Sequence, residues 1–242
     1  MKGTDFRIDS RNVWLPVTLC GLLLFSGQLA QASTIISVNG PNDNSTQVTS
    51  LNQNIALGVG FSTSTGYTNV SIFLSFLDFS EVGQMDLSVF VTNQIGSGTT
   101  VANEEGSATP HITVPASPGS PPYTITQFLV LSGLTLSAGT HYLTFRGANF
   151  GGTDPRSISS PDRSVTVVTN GASINQPFLS SGSPNSYVPA SAFVNQSGTN
   201  LWFKVTGDAQ VPEPSTVIMA LSGISLLIGF RLRAHRLLPG AK

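Results

Sequence analysis

The sequence offers few side chains whose types and spacing could do chemistry. A nucleophilic hydrolase needs a hydroxyl or thiol with a base in reach. Serines are abundant, but no Gly-x-Ser-x-Gly elbow occurs, and the one cysteine, Cys20, sits in an apolar run near the start. Two histidines fall in the middle of the chain. His111 lies in a proline-rich stretch and is expected to be solvated, while His141 opens an expected strand and is placed at its rim. Glycosidase chemistry needs two carboxyls facing each other across a sugar. Asp78 with Glu81, or Glu104 with Glu105, are the available pairs, and both fall in expected turns, where solvated acids are ordinary. Asn42-Asp43-Asn44 and the Asp78/Glu81/Asp86 group offer oxygen ligands, but neither has the spacing of a calcium loop, so turn chemistry by Asn and Asp is the simpler reading. No catalytic residue, metal or cofactor is therefore expected, and the chain is not read as an enzyme. The remaining candidates are aromatic rings that could stack on a sugar. Trp202 falls on the face opposite Leu201, Phe203 and Val205, and Tyr187 lies with Phe178 and Phe193 in a loop-rich segment. The simpler reading is that these rings cap the sandwich core.

The elements that must position these residues read as strands. Ile55, Leu57, Val59 and Phe61 alternate, as do Val70, Ile72, Leu74 and Phe76, and again Met85, Leu87, Val89 and Val91. Period two is the mark of a half-buried strand. Further strands are expected at 34–38, 124–131, 134–136, 141–146, around Val165 and Val167, and at 201–205. Residues 106–123, 147–161 and 180–200, rich in Gly, Pro, Ser and Asn, are expected to be loops. No stretch between Ser33 and Pro212 combines helical periodicity with capping. The expected fold is all-β: a single jelly-roll-like β-sandwich over residues 33–210, about 178 residues and enough for a sizeable core.

Both ends of the chain are directed to membranes. Lys2, Arg7 and Arg11 precede an apolar run from Val13 to Phe25, and Ala30-Gln31-Ala32 supplies a small-x-small cleavage pattern. Residues 1–32 thus read as a signal peptide cut by signal peptidase between Ala32 and Ser33. Removal takes Cys20 with it, leaving no disulfide. Between Ser33 and Gln210 four basic side chains stand against nine acidic ones, a net charge of about −5, although the whole chain is near neutral at −1. An acidic domain solubilised by Ser, Thr, Asn and Gly suits neutral sugars or a polymer matrix and argues against nucleic acid.

At the other end, Val211-Pro212-Glu213-Pro214-Ser215 is stiffened by two prolines, each of which also keeps its predecessor out of the helical region. Val217 to Phe230 carries no charge, and Arg231, Arg233 and Arg236 come directly after it. Fourteen helical residues span roughly 21 Å, short of a full bilayer. The run is nonetheless apolar on every side, and arginines snorkel and favour a cytoplasmic flank. Residues 217–230 are therefore read as a transmembrane helix, with 237–242 a short tail behind it.

Pro212-Glu213-Pro214, the short apolar span and the arginine-rich end together resemble the PEP-CTERM sorting signal of Gram-negative bacteria that make extracellular polysaccharide. The resemblance covers residues 211–236. It implies a membrane-embedded sorting partner, an exosortase, that recognises Pro212, Glu213 and Pro214 and cuts near them. The implied route is export, retention in the inner membrane with the C-terminus in the cytosol, then transfer to the envelope or surface. A second resemblance, over residues 56–61, Gly66-Tyr67 and the 134–142 hairpin, is to anchored extracellular sandwich domains found upstream of such tails. The functional expectation is a structural or interaction protein of the polysaccharide matrix. A carbohydrate-binding module is the alternative, and a periplasmic hydrolase a more distant one.

Overall fold

Alternating apolar residues need a surface to bury against, and here two seven-stranded sheets supply it for each other. The computed structural model describes residues 32–43, 46–79, 82–151, 158–161, 166–196 and 198–210. In chain order the strands are β1 (Ser33–Asn39), β2 (Val48–Ser50), β3 (Ala56–Thr63), β4 (Tyr67–Asp78), β5 (Gly83–Thr92), β6 (Glu104–Ala108), β7 (His111–Val114), β8 (Thr126–Leu136), β9 (Gly139–Gly151), β10 (Ile158–Pro161), β11 (Thr166–Thr169), β12 (Ala172–Ser181), β13 (Val194–Asn195) and β14 (Phe203–Ala209). Two short 3-10 turns, Val101–Asn103 and Val188–Ala190, are the only helical pieces among the described residues.

The first sheet runs β11-β1-β14-β4, with β8 on the far edge of β4 and the β10-β2 pair continuing the near edge beyond β14. The second runs β13-β12-β3-β9-β5, with β6 and β7 sharing the outer edge of β5. The pairing is nested: β5 with β6 and β7 innermost, then β4 with β8, β3 with β9, and β1 with β14 outermost. This is one long hairpin rolled across two sheets, the jelly-roll arrangement. The three alternations point inward: Leu57, Val59, Phe61, Val70, Ile72, Leu74, Phe76, Met85, Leu87, Val89 and Val91 are fully buried, joined from the partner strands by Leu143, Phe145, Phe203 and Val205. Phe61 lies 6.3 Å from Phe203 across the sheets, and Phe76 meets Phe145 edge-on at 6.1 Å.

Several expected loops are strands. Residues 106–123 contribute the end of β6 and all of β7, because Ile112 and Val114 bury on β5 between Pro110 and Pro115. β8 is continuous where two pieces were expected. A register shift between Val70 and Ile72 absorbs one extra residue, and Gly133 there adopts φ 75°, which a side chain would resist. β9 likewise runs on past Arg146 to Gly151. The 182–193 segment straps the outer face of the second sheet. Val188 and Ser191 are fully buried there, the Gly96 N–H donates to Pro189 O at 2.8 Å, and Thr144, on the outward side of β9, is fully covered.

The two ends of the sandwich leave side by side. Ser33, the residue after the expected signal cut, pairs with Gly207, and its Oγ donates to Gly207 O at 3.3 Å. Ala32 is exposed, and Ala30 lies outside the described residues. The apolar run 217–230, the motif Pro212, Glu213 and Pro214, and Arg231, Arg233 and Arg236 also lie outside them. Among the described residues no helix is long and apolar enough to cross a membrane.

Candidate functional site

His141 occupies an inward position of β9, in line with Leu143 and Phe145, and is 1% exposed; it is a core residue rather than a rim residue. Its Nδ1 lies 2.6 Å from Glu105 Oε2, and its Nε2 lies 3.0 Å from Ser137 O and 3.2 Å from Thr63 Oγ1. The chain Thr63–His141–Glu105 has the connectivity of a hydroxyl–imidazole–carboxylate relay, but its protons are placed the wrong way. A carbonyl oxygen only accepts, so Nε2 carries hydrogen toward Ser137 O and keeps no lone pair for the threonine hydroxyl. Thr63 itself donates to Ser137 O at 3.0 Å. The cluster pins β3, β6 and β9 together. Glu105→Ala is expected to leave the buried imidazole short of a partner and to cost about 1–3 kcal/mol in urea unfolding, with Glu105→Gln, which keeps an acceptor, costing less. Alternation with Leu143 and Phe145 would have put His141 on the inner face, where a buried imidazole needs a polar neighbour. That was the available signal for this cluster.

His111 is tied down as well. It stands opposite Asp86 in the β5–β7 ladder, with Nδ1 2.8 Å from Asp86 Oδ1, while Asn149 Nδ2 donates to Asp86 Oδ2 at 3.0 Å. The hydrogen bond from His111, then that from Asn149, hold the Asp86 carboxyl below its ordinary value of 3.8 against a smaller opposing effect of desolvation. A folded-state value below the unfolded one means that Asp86 contributes stability above about pH 4, which is lost as pH falls through the folded value. Wild type is therefore expected to lose stability more steeply than Asp86→Asn below about pH 4, read from acid titrations of thermal midpoints.

The Glu104/Glu105 pair does not assemble. Glu104 accepts from the Tyr187 hydroxyl at 3.3 Å while Glu105 turns inward to His141, so the two acids serve opposite faces. Asp78 is fully buried at the end of β4 in the first sheet, whereas Asp86 is on β5 in the second; Glu81 lies outside the described residues. Asn42 is spent on Tyr123, accepting from its N–H at 2.7 Å, and Asp43 closes a turn with Thr46; Asn44 lies outside the described residues. Among the described residues no three His, Cys, Asp or Glu side chains are grouped to hold a metal.

Of the two readings of the aromatic rings, core capping is the one that fits Trp202 and Phe178. Trp202 is 4% exposed and belongs to the core cluster, so no ring face is open to a sugar. Trp202 stands one residue ahead of β14, so the alternation of that strand does not extend to it; its N–H donates to Pro161 O at 3.1 Å. Tyr187 is half-buried and fastens the strap: its ring meets Phe90 edge-on at 5.4 Å, and its hydroxyl donates to Thr100 O and Glu104 Oε2. Burial, then the nearby Glu104 carboxylate, push its phenol above the usual range. Phe178 is 5% exposed and floors a cleft of about 290 Å³ between β2 and β12, bordered by Thr49, Ile55, Ser180 and Gln196.

β14 ends at Ala209, and Gln210 is the last of the described residues. Residues 210–236 match the family described as the PEP-CTERM protein-sorting motif. No curated protein matches the chain. Among solved structures, a chain of the infectious bursal disease virus Gt strain is similar at 12% identity, covering 85% of this chain and 48% of that one, with a TM-score of 0.23. This chain thus spans about half the length of the viral one, and at that TM-score the likeness carries no argument. The match at 210–236 does carry one: it marks the chain for an exosortase-type sorting enzyme, as an exported, membrane-anchored and then surface protein. The chain is a β-sandwich followed without a spacer by a PEP-CTERM sorting motif.

Proposed function

We propose that this is a non-enzymatic envelope protein whose sandwich serves as a structural or interaction component of the extracellular polysaccharide matrix. Signal peptidase cuts between Ala32 and Ser33. The apolar span 217–230 then holds the chain in the inner membrane, with Arg231, Arg233 and Arg236 in the cytosol, until an exosortase reads Pro212-Glu213-Pro214. One observation carries the reading: the sorting match begins at Gln210, one residue after the last strand, so the whole sandwich is the cargo of that signal. The test is fractionation and intact mass of the full chain with and without an exosortase-type enzyme. A surface or released form lacking the span is expected only with the enzyme. Full-length protein retaining Lys242 in both cases would overturn the reading.

The cleft floored by Phe178 supports a second reading, carbohydrate binding. Its lining carries no charge and combines apolar Ile55 and Phe178 with the amide of Gln196 and the hydroxyls of Thr49 and Ser180, a lining suited to a neutral sugar. Binding on a glycan array that disappears in Gln196→Ala would promote this reading over the first.

A further inference from the structure

We propose that Gly66 and Gln210 form a clasp that ties the chain just ahead of the sorting motif to the folded sandwich and slows the sorting enzyme's access to that motif; the inference rests on the sorting reading above. The last rungs of β14 are Asp208 opposite Thr68 and Ala209 opposite Tyr67. One residue further, the Gln210 N–H donates to Gly66 O at 2.9 Å. The Gln210 side chain lies in the space that a side chain at 66 would fill: a Cβ there would stand 2.5 Å from Gln210 Oε1 and 3.0 Å from its Cδ. The seat is firm, because the neighbouring Tyr67 is 3% exposed and its hydroxyl donates to Asn170 O at 3.0 Å.

Only Val211 separates Gln210 from Pro212. An extended residue reaches about 3.3–3.6 Å, so the motif can begin no more than roughly 7 Å from the clasped residue. An enzyme that cuts beside the motif binds its peptide extended, with residues on both sides of the cut lying in its cleft. The upstream residues are Ala209 and Gln210, and in the folded domain both are held on the β3–β4 turn. Cleavage therefore waits for this end of β14 to peel away, and the rate follows the open fraction. The same strand pairs with β1 as the outermost layer of the rolled hairpin, so the clasp closes only once the last residues of the domain have been exported and folded.

The test tracks the full-length chain by pulse-chase in cells that supply an exosortase-type enzyme. Gln210→Pro removes the N–H that donates to Gly66 O, one residue beyond the last rung of β14, and leaves the paired strands untouched. It is expected to be cut about two- to tenfold faster than wild type, the range spanned by one net hydrogen bond. A six-residue Gly/Ser insertion between Gln210 and Val211 keeps the clasp but carries the motif up to ~20 Å away, and is expected to be cut faster too. Wild-type rates or slower in both variants, with Glu213→Ala still uncut, would overturn the clasp and leave the sorting reading standing. A wild-type chain that the enzyme never cuts would overturn the sorting reading and the clasp with it.

Discussion

Trp202→Ala is expected to destabilise the sandwich by about 3–5 kcal/mol, the cost of emptying a buried large aromatic site. Domains of this size hold only ~5–15 kcal/mol in total, so a large part of the margin would go. Leu201, Trp202 and Phe203 are three consecutive buried residues, a pattern that a strand with one wet face does not show. Trp202 precedes β14 and is bound on both sides through its backbone: its N–H donates to Pro161 O, and its carbonyl accepts from Ser75 N–H at 3.3 Å. Truncation would leave a void where β14, β4 and the chain at Pro161 meet. Urea unfolding followed by circular dichroism measures the effect. An unchanged midpoint, joined to loss of glycan binding, would restore the ring to the surface role that alternation suggested.

Glu213→Ala is expected to stop processing, with full-length chain accumulating in the membrane fraction. Glu213 carries the one charge between two prolines, and a short stiff motif offers an enzyme little else to recognise. Truncating one partner of a buried, hydrogen-bonded charge pair costs about 2–5 kcal/mol, roughly a 30-fold or greater loss of rate. The sandwich, ending at Ala209, should fold unchanged, so the variant's unfolding curve serves as its own control. Cleavage at the wild-type rate would mean that the enzyme reads something other than the acid between the prolines.

Much of the sandwich was legible because β3, β4 and β5 carry large apolar side chains on alternate positions, mostly with smaller or more polar residues between them. Their inward positions are all fully buried. β6 and β7 were hidden because Glu104-Glu105-Gly106 and His111-Ile112 have little strand character of their own; the edge of β5 makes them strands by accepting their hydrogen bonds. The strap at 182–193 was hidden for the same reason. Its Ser, Gly, Pro and Asn composition reads as loop, and only the ring of Phe90 and the backbone N–H of Gly96 give it a place to lie.

By itself the amino-acid order determined the protein's class and its address. Two-residue periodicity, turn chemistry and an uncharged stretch closed by arginines are local properties, written in neighbours and readable without knowing what lies across the fold. Tertiary structure decided what the conspicuous side chains do. His141 meets Glu105 across 36 positions, and the backbone of the buried Trp202 bonds to Pro161, 41 residues earlier. Gln210 seats on a glycine from the far side of the sequence. Each of these depends on which strands become neighbours, and in a rolled hairpin neighbours are set by nesting rather than by distance along the chain.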